Sequence, residues 1–338
     1  MNKKVLNLLM LAAVTSWFAV GALSHPGAQP SRTSSRPASD TLSFLPQSDA
    51  IMLIDLRKLF RETVPRIFEG DAAKLAQVNS EIDKFKSRTG VDLRAFDRVV
   101  LGMRYTYPSP TVTKIMTVAI AHGAFDLKAL NAAEKLATQG KYREEKYRGL
   151  TISVINVNDQ IKLLGLSDIR VSELAICPLD AGTLAFGALP AVRSAIEAGR
   201  GGSNANQGLA ALATRDPNAV IGFGANITGA LMKNLNVGND AIARDVNSIR
   251  QIYGSIGASE SDVALFLAAR TDSPEAARSV SETVVGLKQL GAIVIVRLAP
   301  PKRALAQSAL DNLKITTRGN EVEVRTQFAA ASLASFLK

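Results

Sequence analysis

The closing stretch of the chain constrains the fold most. Leu313–Thr317 and Glu321–Gln327 read as two strands joined through Arg318-Gly319-Asn320, and Ala329–Leu337 reads as an amphipathic helix docked after them. The same layout occurs earlier. Leu174–Leu179, the turn Asp180-Ala181-Gly182 and Thr183–Gly187 are followed by a helix from Pro190 to Ala198. A chain of 338 residues is long enough for two cores of ordinary size. The recurrence therefore predicts an α+β protein of two similar halves, roughly 42–200 and 206–338. Each would carry a mostly antiparallel sheet covered by amphipathic helices.

The elements between these units follow the same order. Ile51–Leu56 is a near-continuous apolar run, hence a buried strand, and a short helix after it meets Pro65. Asp71 caps a helix whose Leu75, Val78, Ile82 and Phe85 form one stripe. Arg98–Tyr105 and Thr113–Ala121 pair through Thr106-Tyr107-Pro108-Ser109-Pro110, a helix spans Asp126–Thr138, and Lys141–Tyr147 pairs with Leu150–Asn156. After the Gly/Asn-rich linker 199–208, Asn218-Ala219-Val220-Ile221 echoes Asp49-Ala50-Ile51-Met52 at the head of a strand. Asp240–Ser255, with Ile242, Val246, Ile249 and Ile252, repeats the stripe of the 71–88 helix. Val263–Ala269 is a strand, Ser273-Pro274-Glu275 opens a helix ending near Gly291, Ile293–Leu298 reads as a strand and Pro301–Leu310 as a helix.

The first residues carry an address. Lys3 and Lys4 precede the uncharged, largely apolar Val5–Leu23, and small residues follow, so residues 1–24 read as a signal peptide, with an uncleaved N-terminal membrane anchor as the alternative. Both readings place the body outside the cytoplasm, in the periplasm, and only an uncleaved first segment would touch a membrane. Residues 25–41 are a Pro/Ser-rich linker. With Leu45-Pro46-Gln47-Ser48-Asp49-Ala50 leading into the first strand, the chain resembles a group of exported bacterial proteins that open with a signal segment, a linker and Leu-Pro-x-x-Asp-Ala. The resemblance implies export and brings no activity with it.

Composition narrows the chemistry. Net charge is +10, but it is spread: four basic and one acidic residue in 1–41, 22 and 18 in 42–200, 14 and 11 in 201–338. A nucleic-acid surface would gather that excess into a stripe, so no nucleic-acid partner is expected. His122 is alone in the folded body and reads as a solvated or locally bonded imidazole at a strand end. Cys177 is single and reads as a small buried hydrophobe. In Gly222-Phe223-Gly224, Ile227 stands where GxGxxG requires its third glycine, so these glycines are read as close helix–strand packing and no cofactor is expected. No metal site is expected either, because zinc sites gather several Cys or His ligands. Glu144-Glu145 reads as a charged sheet edge.

Two stretches remain as contact surfaces. Tyr105 and Tyr107 sit at a proline-stiffened hairpin tip, where tyrosine joins apolar area to a polar handle. The connector 157–172, with Leu163, Leu164 and Leu166, is more apolar than a solvated loop should be. It reads as a short helix tucked on the sheet, or as a lid or partner contact. The functional expectation is an exported, non-catalytic envelope protein that binds or scaffolds a partner. Two alternatives stand beside it: a hydrolase with dispersed carboxylates between the halves, and a carrier of a small apolar ligand.

Overall fold

A computed structural model describes residues 38–89, 92–109, 112–125, 142–163, 167–201, 206–228, 240–259, 261–330 and 332. The fold is α+β and built on one sheet of twelve strands. These are β1 (Ala50–Asp55), β2 (Phe96–Ser109), β3 (Val112–Gly123), β4 (Tyr142–Tyr147), β5 (Leu150–Leu163), β6 (Ser167–Asp180), β7 (Thr183–Gly187), β8 (Ala219–Asn226), β9 (Ile249–Ala258), β10 (Asp262–Thr271), β11 (Lys314–Arg318) and β12 (Glu321–Ala329). Their order across the sheet is β11-β12-β10-β9-β8-β1-β2-β3-β7-β6-β5-β4, and every neighbouring pair is antiparallel.

The expected halves do not carry a sheet each. β1 and β8 pair directly, with Met52 opposite Phe223 and Leu53 opposite Gly222, so the two runs of strands are fused at mid-sheet. Both strands begin at the alanine of the echo seen in the sequence, Ala50 and Ala219. The 199–208 linker does not separate two bodies. The helix Leu189–Gly201 runs into it, and the helix Gln207–Ala213 leaves it from a buried Asn206. Residues 202–205 lie outside the described residues.

Alternation along the strands sorts side chains to two faces. On one face Ile51, Leu53, Val100 and Ile120 meet Val192, Ala195 and Ile196 of the helix Leu189–Gly201 and Leu209 and Ala213 of the helix Gln207–Ala213. On the other face Met52, Val220, Ile221 and Phe223 form one cluster. Also on that face, Val99, Ala119 and Ala121 pack under Leu56. Over them the helical stretch 56–67 meets the helix Ala72–Thr89 through Val64, Phe68, Val78 and Ile82. Each of the Val, Leu, Ile, Met and Phe side chains contributes about 1.5–3 kcal/mol on burial, the dominant favourable term in a core poor in aromatics. Pro65 does not end its helix. A π turn over Leu59–Thr63 carries the Val64 N–H back to the Leu59 carbonyl, and Pro65 falls in the first turn of the next segment, where its missing N–H is not needed.

Four sequence expectations are corrected. The linker's last residues, from Ala38, already belong to a helix, Ala38–Ser43, whose Thr41 is buried. The helix expected over 240–255 stops at Ser248, and Ile249–Ala258 is β9. The three-and-four spacing of these residues follows the helical period, but two strand neighbours bond the 249–258 backbone on both sides and override it. The strand expected over 293–298 is the end of the helix Pro274–Ile295 and the corner after it. In the described part of the connector 157–172 the expected helix is absent: β5 runs on to Leu163 and β6 starts at Ser167, with Asp159 opposite Val171 and Leu163 opposite Ser167. The expected helices over 126–138 and most of 329–337 lie outside the described residues.

Candidate functional site

The Tyr105 and Tyr107 positions fall within β2 rather than in the turn, because the hairpin continues to Ser109 and Val112. Tyr105 is half-buried opposite Ile115, and its backbone N–H donates to Asp49 Oδ2 at 2.8 Å. Burial pushes its phenol up, and the nearby Asp49 carboxylate and Tyr107 add to the shift. Tyr107 is exposed, with its hydroxyl 2.6 Å from Thr228 Oγ1. Ile115 is exposed beside them, so this end of the hairpin offers one ring and one aliphatic side chain rather than two tyrosine anchors. Leu163 closes β5, and Leu164 and Leu166 lie outside the described residues.

Groups that could do chemistry are committed elsewhere. His122 Nδ1 lies 3.4 Å from Thr183 Oγ1. Cys177 is fully buried, and burial pushes its thiol up to about 11, away from the thiolate a nucleophile needs. On the edge strand β4, Glu145 takes a two-pronged contact from Arg193 at 2.7 Å on each oxygen, while Glu144 points the other way into solvent. Among the described residues four carboxyls are moved, Asp92, Glu145, Glu197 and Glu321, and each is held lower than usual. A general acid is moved the other way. Among the described residues no three His, Cys, Asp or Glu side chains are grouped to hold a metal ion. A cavity of about 20 Å³ between Pro46, Gly102, Arg104, Met116 and Ala191 has room for one water.

Beyond β8 the first of these faces carries charge instead of a helix. Register places Arg270 opposite Glu321, Ala268 opposite Glu323 and Phe266 opposite Arg325, with Tyr253 opposite Ala268 on the other side. Arg270 reaches Glu321 at 2.6 Å, Arg215 reaches Glu323 at 3.0 Å and also meets the Tyr253 hydroxyl, and Arg325 reaches Glu323 at 3.1 Å while its guanidinium stacks 4.2 Å from the Phe266 ring centre. Each arginine is held by a carboxylate and lies over an aromatic ring, so the cluster closes the core rather than opening a site. Burial works to raise the Glu321 carboxyl, but hydrogen bonds from Arg270, Tyr253 and Arg215 outweigh it and hold it below its ordinary value of 4.5. A carboxyl lowered by folding stabilises the protein above the unfolded-state value and loses that contribution as pH falls toward the folded one. The melting temperature is therefore expected to drop between pH 5 and pH 3. Glu321→Gln should melt lower at pH 6 and lose less on acidification. An unchanged acid limb in the variant would show that the cluster does not set it.

Among the described residues, the largest departure from a solvated surface lies on the helix Pro274–Ile295. Ser273 caps its start by accepting from the Ala276 N–H at 3.2 Å, and Pro274 occupies the first turn. Its inner face places Ala277 and Val280 against Leu313, Val322 and Val324. A second face is tied to the helix Asp240–Ser248, where buried Asp245 accepts from Ser279 and Thr283. From Val285 onward most outward positions are apolar, with exposed Gln289 among them. Leu287, Leu290 and Val294 follow a spacing of three and four along one stripe, with Ile293 and Val296 beside it at 64% and 62% exposure. At Val296 the chain turns toward the helix Pro300–Asp311, and this corner also carries exposed Arg297, Lys302 and Arg303. The signal was present in the sequence as the run Ile293–Leu298, but an apolar run does not say whether it faces the sheet or away from it.

No protein-family model matches the chain, and no curated protein matches it in sequence. Solved structures of the treponemal protein TP0453 show a distant likeness. Crystal form III is 11% identical, with a TM-score of 0.43 over 89% of this chain and 97% of that one. Crystal form I is 10% identical, with a TM-score of 0.39 over 90% and 98%. A likeness at that level assigns no activity.

Proposed function

We propose that this is an exported, periplasmic, non-catalytic protein that binds or scaffolds a partner in the cell envelope. The observation that carries the reading is the outward apolar surface from Val285 to Val296. Contiguous exposed apolar side chains rimmed by charge are the mark of a surface that meets something else. The signal pattern of residues 1–24 supports export. Outward from the β1–β8 pair, β1-β2-β3-β7-β6 and β8-β9-β10-β12-β11 follow the same order, with β5 and β4 having no counterpart, and this supports the reading of two similar halves joined at that pair.

The test places a photo-crosslinking amino acid at Leu290 and, as a control, at exposed Lys146 on the far edge strand, in cells that export the full chain. Discrete adducts at position 290 and none at 146 are the expected result. Equal, diffuse labelling at both positions, or turnover by the purified protein in a broad hydrolase screen, would overturn the proposal.

A further inference from the structure

We infer that the corner between the helices Pro274–Ile295 and Pro300–Asp311 docks on the surface of an anionic phospholipid bilayer. The inference rests on the proposed contact surface and names its partner.

The charge pattern carries it. Between Glu282 and Asp311 the chain has no acidic residue and four basic ones, Lys288, Arg297, Lys302 and Arg303. Lys288 is engaged inward, donating to the Leu313 carbonyl at 3.0 Å. The other three are exposed around the corner, Arg303 also donating to the Leu298 carbonyl at 3.0 and 3.2 Å, and Ile293, Val294 and Val296 are exposed there too. An apolar tip rimmed by lysine and arginine matches a membrane interface: aliphatic groups enter the headgroup–acyl boundary and long cationic side chains reach phosphates. A second copy of this corner would bring like charges together, which disfavours self-association. The helix itself is not long and apolar enough to cross a bilayer, so the geometry is that of a surface contact.

The test uses the full chain and a local probe, so that any insertion by residues 1–24 does not decide the outcome. The single native cysteine is buried, so a cysteine introduced by Val294→Cys can be labelled selectively with a nitroxide. Lys146→Cys serves as the distant control. With vesicles of phosphatidylethanolamine and phosphatidylglycerol, the label at 294 is expected to become more accessible to oxygen and less to a water-soluble relaxant, while the label at 146 stays aqueous. Vesicles of phosphatidylcholine alone should give a much smaller change. The combined variant Arg297→Gln, Lys302→Gln, Arg303→Gln should weaken partitioning about a hundredfold, from roughly a factor of five for each surface cation. Its melting temperature should change little, because all three side chains are exposed and the only bonds given up at Arg303 are two exposed ones to the Leu298 carbonyl. A label at 294 that stays aqueous on anionic vesicles overturns the inference. If position 290 still crosslinks to a protein in that case, the contact-surface reading survives and only the lipid partner falls. If position 290 also fails to crosslink, both fall.

Discussion

Gly222→Ala is expected to destabilise the protein by about 3 kcal/mol or more, the range of overpacking in a core that cannot relax. Gly222 lies on β8, paired to Leu53 on one side and Ser255 on the other. A methyl group built there overlaps the carbonyl oxygen of Ala213, at the end of the helix Gln207–Ala213. Neither partner can yield cheaply. The strand is held by hydrogen bonds from both neighbours, and the helix buries Leu209 and Ala213 in the main core. Relief therefore requires lifting the helix off the sheet and opening that core. Gly208→Ala is the control, because a Cβ there meets nothing within 4 Å and lies in the same short helix. It should be neutral or gain up to about 1 kcal/mol through helix propensity. Urea unfolding of the two variants decides the matter, and equal stability would mean that the helix does not sit on Gly222.

Asn206→Leu is expected to cost about 2–4 kcal/mol, from the burial of backbone groups deprived of their partners. Asn206 is buried, and its side chain replaces a missing piece of ladder. Its Oδ1 accepts from the Ser48 N–H at 3.0 Å, and its Nδ2 donates to the carbonyls of Leu45 at 3.2 Å and Pro46 at 2.9 Å. One side chain thus ties the chain just after the Gly/Asn linker to the segment leading into β1. Leucine has similar volume and none of these bonds. Asn206→Asp gives a sharper signature. A carboxylate keeps the acceptor for Ser48 but faces two carbonyls without a donor, so folding should raise its pKa. A group raised by folding stabilises below its unfolded value and is lost as pH rises, so this variant should weaken from pH 4 to pH 7. Parallel pH profiles for the variant and the parent protein would show that Asn206 is not held as described.

These two positions also show where sequence and structure part. Gly222 was legible as a packing glycine, because Ile227 breaks the nucleotide pattern. Asn206 was not legible, since in a run of Gly, Ser and Asn it has the composition of a linker. Its role depends on carbonyls 160 and 161 residues away, a separation over which no local pattern carries information. The Arg215–Glu323 cluster was invisible for the same reason, because it is assembled from three strands and a turn.

By itself the sequence determined the class of the protein and much of its element order. Alternation marked most strands, turn residues placed the Arg148-Gly149 and Gly319-Asn320 hairpins, and the Ser273-Pro274 start was set by its cap. Those signals are local, and local hydrogen bonding and steric preference enforce them. Tertiary structure alone decided three things. It fused the halves into one sheet through β1 and β8, because strand pairing is a non-local choice among edges. It turned 249–258 into a strand where periodicity allowed a helix, because two neighbours were in place to bond it. It left Val285 to Val296 facing outward, because the inner faces of that helix were already filled by Ala277, Val280 and the Asp245 contacts. Hydrophobicity is a property of residues, whereas exposure depends on which faces the rest of the chain has left uncovered.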